Sequence, residues 1–434
     1  MVIRNVKIGF ILVSLLFTLA SQAKLIIEIT EGTASAIPLA AVPFGYDMTE
    51  PPPVDVSAVI NADLTNSGRF ELLAPSALIS FPHVKEEVNF SDWRLLRTEG
   101  VLIGQIKQMP TGQYDVQFQL FDVYKEQQLV GKSYQVPAIA LRRVAHKIAD
   151  QVYEALTGEA GAFSTQLAFI STLKTEQGES QYILQISDSD GANQRSILRS
   201  SSVILSPSWS PDGEKLSYVS FENGQSEIYI QSVRTGKRIR LAKFRGLNSA
   251  PSWSPDGQRM AMTLSKNGNA EIYIMTLADQ QLTRVTHQSN AIDTSATWLP
   301  DGESIIFTSD RGGKPQIYQI AASGGKAKRL TFEGDYNASP DISPDGRYMT
   351  MVHGIKGRFY IAIQELKTGH LQVLTEHGQD ESPSFSPAGN MILYATKIGN
   401  KGLLAAVSSD GSIHKRLSQS TTNVREPDWS PIRN

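Results

Sequence analysis

Four aspartates beyond residue 200 recur in one setting, a Pro-Asp-Gly turn that follows an aromatic or apolar residue. They are Asp212, Asp256, Asp301 and Asp345. Regularly spaced carboxylates are potential calcium ligands. The turn alone explains the three residue types, because proline presets φ, aspartate bonds the local backbone and glycine accepts a positive φ. A fifth copy, Pro387-Ala388-Gly389, keeps the turn without the carboxylate, which favours architecture over metal binding.

Other patterns that would support catalysis or cofactor binding are missing from the sequence. The seven histidines form neither an i, i+4 pair nor a His-x-His pair, the spacings expected of metal ligands. There is no cysteine, which excludes thiol catalysis, thiolate zinc sites and disulfides, and no Gly-x-Ser-x-Gly nucleophile elbow. The glycines within 309–318 lie in a β turn rather than in a phosphate-binding loop. We therefore predict no catalytic residue, no cofactor and no metal site.

The charge of the chain gives no sign of nucleic-acid binding. The formal net charge is −2 at pH 7, and duplex binding normally requires a broad basic field. One basic cluster stands out, formed by Arg142, Arg143, His146 and Lys147. We expect it to be the solvated face of a helix.

The N-terminus has the features of an export signal. Arg4 and Lys7 precede a 13-residue apolar run, Ile8 to Ala20, and residues 21–23 read Ser-Gln-Ala, similar to a cleavage site. Thirteen residues are too short to span a bilayer core of about 30 Å as a helix. We predict that residues 1–23 are removed and that a monomeric, soluble protein without membrane insertion remains in the periplasm.

Residues 24–160 mix strand and helix patterns and predict a small α/β domain. Residues 113–124 alternate apolar and polar side chains, as a half-buried strand does. From Ala138 to Thr157 the apolar residues follow the helical period, and Gly158 provides a C-terminal stop. The small residues of 158–163 predict a linker.

Residues 165–434 carry a repeat that predicts a six-bladed β-propeller. The residues before the recurring turns are Trp209, Trp253, Trp298, Ile342, Phe385 and Trp429, and they lie 44, 45, 44, 43 and 44 residues apart. A period of about 40–50 residues with four short strands per unit is typical of propeller blades. Five of these markers begin complete units. The sixth is at the end of the chain, so it is expected to supply the innermost strand of the blade that starts near residue 166 and so to close the ring.

The loops that lead into the marker strands are the predicted functional surface. They rim the central channel, they are long and polar, and they differ from blade to blade: 244–252, 286–297, 331–340, 375–384 and 418–428. Loops held on a rigid scaffold commonly carry function, and their polar, mixed-charge composition suits a protein–protein interface.

Several stretches of the chain resemble the TolB family, the periplasmic propeller proteins of the Tol–Pal envelope system. They are "ADLTNSGRFELL" (62–73), "LRRVAHKIADQVYEALTGEAGAFSTQLAFI" (141–170), "FTSDRGGKPQIY" (307–318) and the Trp-Ser-Pro-Asp-Gly repeats. The resemblance covers essentially the whole chain. It implies the same architecture as the repeat does, an N-terminal α/β domain followed by a six-bladed propeller.

The resemblance also implies partners for both parts of the molecule. The lipoprotein Pal, and colicins, would dock at the propeller mouth, at Arg245, Leu247, Asn248, Asn290, Asp293, Thr294, Asp335, Tyr336, Asn337, Asp380, Glu381, Asn423, Arg425 and Glu426. The inner-membrane protein TolA would bind the mature N-terminus, at Lys24, Leu25, Ile26, Ile27, Glu28 and Ile29. The strand-forming residues of this segment could pair with a partner sheet or fold back on their own domain.

Together these features predict a non-enzymatic periplasmic adaptor that links Pal to TolA, maintaining outer-membrane integrity and envelope constriction during cell division. The alternative function is an exported propeller-type hydrolase or a peptidase accessory subunit. Binding of Pal would distinguish the two.

Overall fold

A computed structural model describes residues 26–31, 36–48, 50–418 and 423–433. The predicted export signal lies outside these ranges. Within them, no helix is both long enough and apolar enough to span a bilayer.

The described chain begins with the strand β1 (Ile26–Glu31) and continues into an α/β domain. The elements of this domain are β2 (Ile37–Ala41), β3 (Gly45–Tyr46), α1 (Val56–Asn66), β4 (Phe70–Leu72), α2 (Phe90–Leu95), β5 (Gly100–Gln108), β6 (Tyr114–Asp122), β7 (Gln127–Val136) and α3 (Leu141–Thr157). Short 3-10 turns lie at Pro75–Ala77, Lys85–Glu87 and Ala138–Ala140. The sheet order is β4-β2-β5-β6-β7, and β3 pairs with β5. Strand β2 is parallel to both of its neighbours, whereas β5, β6 and β7 are antiparallel.

The two longer helices cover one face of this sheet. The Asp55 carboxylate caps α1 by accepting from the Ala58 amide at 2.9 Å, a strong N-terminal signal. At the other end of the domain, Gly158 has φ 75° and its amide donates to the Glu154 carbonyl, so α3 ends where the sequence predicts. Its first predicted turn, from Ala138, is instead a 3-10 turn that follows Pro137.

From Gln166 onward the described residues form strands and turns only. Five blades have four consecutive strands each. Blade 1 contains β11 (Ile204–Trp209), β12 (Lys215–Ser220), β13 (Glu227–Ser232) and β14 (Arg238–Ala242). Blade 2 contains β15 (Asn248–Trp253), β16 (Arg259–Leu264), β17 (Glu271–Thr276) and β18 (Leu282–Arg284). Blade 3 contains β19 (Asp293–Trp298), β20 (Ser304–Ser309), β21 (Gln316–Ala321) and β22 (Lys328–Arg329). Blade 4 contains β23 (Tyr336–Ile342), β24 (Tyr348–Ile355), β25 (Arg358–Glu365) and β26 (Leu371–Val373). Blade 5 contains β27 (Asp380–Phe385), β28 (Met391–Ile398), β29 (Lys401–Ser408) and β30 (His414–Ser418).

The sixth blade joins the two ends of the propeller sequence, as predicted. It contains β8 (Gln166–Lys174), β9 (Ser180–Asp188), β10 (Arg195–Ser200) and, as its innermost strand, β31 (Asn423–Trp429). Strand β31 is antiparallel to β8, with Trp429 opposite Leu167. This pairing closes the ring and covers an edge that would otherwise be open.

Each Pro-Asp-Gly turn is held by its own residues, and the markers of blades 2 and 3 also bond to the preceding blade. In blade 1 the Asp212 carboxylate accepts from the Ser210 hydroxyl at 2.5 Å and from the Glu214 amide at 2.8 Å, and Gly213 has φ 67°. The Trp253 indole N–H donates to the Ser208 carbonyl of the preceding blade at 3.2 Å. These bonds explain why the turn recurs in four of the six blades.

All six innermost strands contain the same backbone irregularity. One residue in each has a positive φ between 47° and 54°: Ser206, Ala250, Ser295, Ser339, Ser382 and Glu426. The pairing register shifts at this residue in every blade, which identifies a β-bulge. The bulge gives a common reference point for comparing the loops of the six blades.

Candidate functional site

The two ends of the propeller face different surroundings. We call the end at which the inner strands β15, β19, β23, β27 and β31 begin the mouth face, and the end that carries the Pro-Asp-Gly turns the turn face. The N-terminal domain and its linker contact the turn face. The Ser189 hydroxyl donates to the Phe163 carbonyl at 2.7 Å, and the Asn390 amide group donates to the Ala160 carbonyl at 3.4 Å. The mouth face is therefore on the side away from the N-terminal domain.

The structure divides the predicted mouth residues by their exposure. Six are exposed: Arg245, Leu247, Asn290, Asp335, Asn423 and Arg425. Four are half-buried: Thr294, Tyr336, Glu381 and Glu426. The remaining four are buried: Asn248, Asp293, Asn337 and Asp380. A partner that docks on the mouth would contact the first group most directly.

The four buried residues occupy equivalent positions, two residues before the bulge of blades 2 to 5. Three of them, Asn248, Asn337 and Asp380, bond through their side chains to the loops that precede them. The Asn248 side chain accepts from the Phe244 amide at 2.9 Å, and the Asn337 amide group donates to the Glu333 carbonyl at 2.7 Å. These residues therefore set the shape of the mouth loops in the isolated protein.

The two buried aspartates have different partners, since Asp380 bonds within its own loop and Asp293 bonds the turn that follows β20. Asp380 accepts from the hydroxyls of Thr375 and Thr396, and Asp293 accepts from the Arg311 guanidinium at 2.7 Å. Burial raises the pKa of both carboxyl groups above the ordinary value, although these hydrogen bonds oppose the shift.

The mouth also exposes apolar side chains that the sequence argument did not select. Ile292 is 54% exposed, Phe332 is 74% exposed and Phe359 is 39% exposed. The predicted mouth residue Leu247 is also 39% exposed. The Phe359 ring makes an edge-to-face contact with Tyr336, with centroids 5.1 Å apart. Ile292 and Phe332 lie within the predicted mouth loops, but large apolar residues are usually buried, so the sequence gives no sign of their exposure. Apolar residues on a surface rimmed by polar ones are typical of the centre of a protein interface.

A cleft of about 810 Å³ opens beside this aromatic pair, between blades 4 and 5. Its lining includes Arg358, Phe359, His377, Glu381 and Lys397. It combines an aromatic ring with charges of both signs, which suits a peptide segment better than a small uncharged molecule.

Two carboxylates lie deeper in the central channel, just before the markers of blades 4 and 6. The Asp341 carboxylate accepts from the Phe385 amide and the Asp428 carboxylate from the Trp209 amide, both at 2.7 Å. Each bond joins one blade to the next. Burial raises the pKa of Asp341 to about 6 and that of Asp428 to about 7, and the charge of Asp341 adds to the shift at Asp428.

The predicted TolA-binding segment lies on the propeller. Its first two residues, Lys24 and Leu25, are outside the described residues; the other four, Ile26, Ile27, Glu28 and Ile29, belong to β1. Strand β1 is antiparallel to β30, so blade 5 has a fifth strand. Ile26 is opposite Ser418 and Glu31 opposite His414, which means that β1 runs from the mouth end of the blade to the end that faces the N-terminal domain. The segment has therefore not folded back on the sheet of its own domain.

The basic cluster on α3 is not the solvated face that the sequence predicted. Arg143 is exposed, but His146 is buried, and the Arg142 guanidinium donates to Asp188 at 3.1 Å and also contacts Asp190. The reason is that α3 lies between its own sheet and the closing blade, so that both sides of the helix are covered. Helical periodicity cannot reveal this second contact.

Comparison with known families identifies both parts of the chain. The family model described as the TolB amino-terminal domain matches residues 25–129. The model described as the TolB beta propeller domain matches residues 153–433.

Relatives of this chain match it over nearly its whole length. The Tol-Pal system protein TolB of Nitrosococcus oceani is 55% identical over 409 residues, 94% of each chain. That of Xanthomonas oryzae pv. oryzae is 46% identical over 421 residues, covering 96% of this chain and 95% of the relative. The crystal structure of TolB from Acinetobacter baumannii superposes with a TM-score of 0.85 at 41% identity, covering 94% of this chain and all of that one.

Proposed function

This chain belongs to the TolB family, and from that premise we propose that it is a non-enzymatic periplasmic adaptor of the Tol–Pal system that links Pal to TolA. In this role it contributes to outer-membrane integrity and to constriction of the envelope during cell division. Pal binds at the mouth face, and TolA binds at the N-terminal segment.

The mouth face is the observation that carries the proposal for Pal. Five loops of different sequence converge there, and their exposed side chains include Leu247, Ile292 and Phe332 beside Arg245 and Asp335. Exposed apolar side chains interspersed with charged ones have the composition of a specific protein interface. The loops are fastened from within by buried polar side chains, so little ordering entropy is lost on binding.

The position of β1 supports the proposal for TolA. An extended segment that already adds to one sheet edge can also add to the sheet of a partner, because main-chain hydrogen bonds supply the affinity in both cases. Strand β1 reaches the mouth end of blade 5. Blade 5 therefore contributes both to the mouth, where Pal binds, and to the sheet edge that holds the N-terminal segment.

Titration calorimetry with purified Pal and with the periplasmic part of TolA tests the proposal. We expect both proteins to bind the wild-type chain. Deleting residues 24–35 should weaken binding of TolA, while the melting temperature and the affinity for Pal show that the variant is folded.

Two results would contradict the proposal. Unchanged TolA affinity in the deletion variant would exclude the N-terminal segment as the TolA site. Failure of the wild-type chain to bind Pal would remove the mouth assignment and favour the alternative of an exported enzyme or peptidase accessory subunit.

A further inference from the structure

Three potential metal ligands meet where α3 of the N-terminal domain contacts the closing blade of the propeller. They are His146, Asp188 and Asp190, and one ligand atom from each lies within 4.8 Å of the others. His146 is on α3, Asp188 is the last residue of β9, and Asp190 lies in the turn that follows. The two domains therefore both contribute to the group.

The imidazole of His146 is oriented as a metal-binding histidine would be. Its side chain is 3% exposed, and its Nδ1 lies 2.6 Å from a carboxylate oxygen of Asp63, which fixes the ring. Its Nε2 is buried without a hydrogen-bond partner among the described residues and is 3.8 Å from Asp188 Oδ2. A carboxylate that holds one imidazole nitrogen while the other faces a ligand set is the usual outer-shell arrangement of a metal site.

We propose that His146 Nε2 and the carboxylates of Asp188 and Asp190 form a binding site for a divalent transition-metal ion, with Zn²⁺ as the best fit. One imidazole and two carboxylates are ligands that Zn²⁺ accepts, at about 2.0–2.2 Å each. Ligand atoms on two sides of such an ion are about 3–4 Å apart, a range that includes the observed 3.8 Å. Water would complete the coordination, since the Asp188 and Asp190 side chains are 18% exposed.

The guanidinium of Arg142 is the competitor for this site. Its Nε donates to Asp188 Oδ2 at 3.1 Å, and its Nη2 contacts Asp190 Oδ2. The uncharged Asn193 amide group also donates to Asp188 Oδ2, at 2.7 Å. The Arg142 side chain is 23% exposed, so it has a path into solvent. When the metal binds, a divalent ion replaces the singly charged Arg142 guanidinium on the two carboxylates. His146 Nε2, to which Arg142 makes no hydrogen bond, then coordinates the ion.

Occupation of the site would tie the two domains together. The ion would join α3 directly to the end of β9. Its coordination bonds would replace the ion pairs of Arg142 with Asp188 and Asp190. The consequence is a metal-dependent attachment of the N-terminal domain to the turn face, separate from the partner sites proposed above.

Titration of the untagged protein with Co²⁺, followed by its visible absorption, and with Zn²⁺ in competition tests the site. We expect one ion per chain. His146→Gln and Asp190→Asn should each lose binding. Arg142→Gln should bind at least about tenfold more tightly than the wild type, because the competing guanidinium is gone while the ligands stay.

The matched controls are Arg143→Gln, the exposed neighbour on the same helix, and His83→Gln in another part of the domain; both should bind as the wild type does. Far-ultraviolet circular dichroism shows whether each variant is folded. If His146→Gln does not fold, Asp190→Asn takes its place as the variant that lacks a ligand. The proposal is overturned if neither the wild type nor Arg142→Gln binds more tightly than His146→Gln. In that case the pocket beside Nε2 holds water or a proton.

Discussion

The two ends of the six inner strands follow opposite rules. At the turn face four of the six blades have the same Pro-Asp-Gly turn, and in three of these the aspartate accepts from the preceding serine hydroxyl. At the mouth face the loops share one structural position, two residues before the bulge, and differ in nearly everything that is exposed. Recurrence thus marks what each blade needs to pack against the next, and variation marks the surface that is available for recognition.

The mouth face contains both buried residues that stabilise the fold and exposed residues that are available for binding. Asn248, Asp293, Asn337 and Asp380 belong to the mouth loops in sequence, yet they are buried and hydrogen-bonded as the turns are. Among the exposed mouth residues, Asp335 pairs at the surface with Lys314, whereas Asn423 accepts from the Gly402 amide of blade 5. Substitutions at four positions separate these classes, from the largest expected loss of stability to the smallest.

The largest loss is expected at a marker residue. Trp253 is 8% exposed and donates across the blade boundary, so Trp253→Ala should lower the free energy of unfolding by about 3–5 kcal/mol. Urea unfolding followed by circular dichroism measures the change. Trp253→Phe, which keeps most of the packing, is the control; a loss below about 1 kcal/mol for the alanine variant would contradict an architectural role.

A buried mouth residue should behave like the turn face. Asp380→Ala leaves the hydroxyls of Thr375 and Thr396 without their acceptor, and we expect a loss of about 1–3 kcal/mol in the free energy of unfolding. Asp335→Ala, at an exposed position of the neighbouring loop, should stay within about 0.5 kcal/mol of the wild type. Equal effects at the two positions would show that burial does not separate the two classes.

The channel carboxylates predict a dependence of stability on pH. Burial raises the pKa of Asp428 to about 7, so the folded state binds a proton that the unfolded state, with an ordinary carboxyl pKa, has released. The resulting stability is full below about pH 4 and is lost as the pH rises through about 7. Asp428→Asn should flatten the profile between about pH 4 and 7, where the carboxyl contributes at most about 1.4 kcal/mol per pH unit. An unchanged profile in chemical unfolding experiments would rule this carboxyl out as the cause.

The smallest change in stability is expected at an exposed mouth aromatic. Phe332 is 74% exposed, so Phe332→Ala should alter the free energy of unfolding by less than about 0.5 kcal/mol. The affinity of the Phe332→Ala variant for Pal should nevertheless fall. A variant that loses stability but binds Pal normally would place Phe332 with the architectural residues.

The propeller could be predicted from the sequence because each blade repeats the same pattern at a nearly constant spacing along the chain. Six markers, one incomplete blade at each end of the propeller sequence and a final Trp429 predict both the blade count and the closing strand, and the structure confirms them. The helix ending at Gly158 was equally predictable, since a glycine C-cap and an apolar stripe are local signals.

What the sequence did not reveal depends on contacts between distant segments. The burial of Asn337 and the exposure of Ile292 follow from how each loop folds over its blade. The pairing of β1 with β30 joins the first described strand to blade 5. Likewise, His146 and Asp188 meet only because the N-terminal domain packs against the closing blade, so their spacing in the sequence gives no sign of the contact.

The most direct test of the central claim compares two exposed isoleucines at opposite ends of the propeller. Ile292 on the mouth face is 54% exposed and Ile432 on the turn face is 44% exposed, so an aspartate at either position leaves the fold intact. Titration of Pal into the two variants should show at least about a tenfold loss of affinity for Ile292→Asp and none for Ile432→Asp. Equal affinities, or a loss confined to Ile432→Asp, would contradict the assignment of recognition to the mouth face.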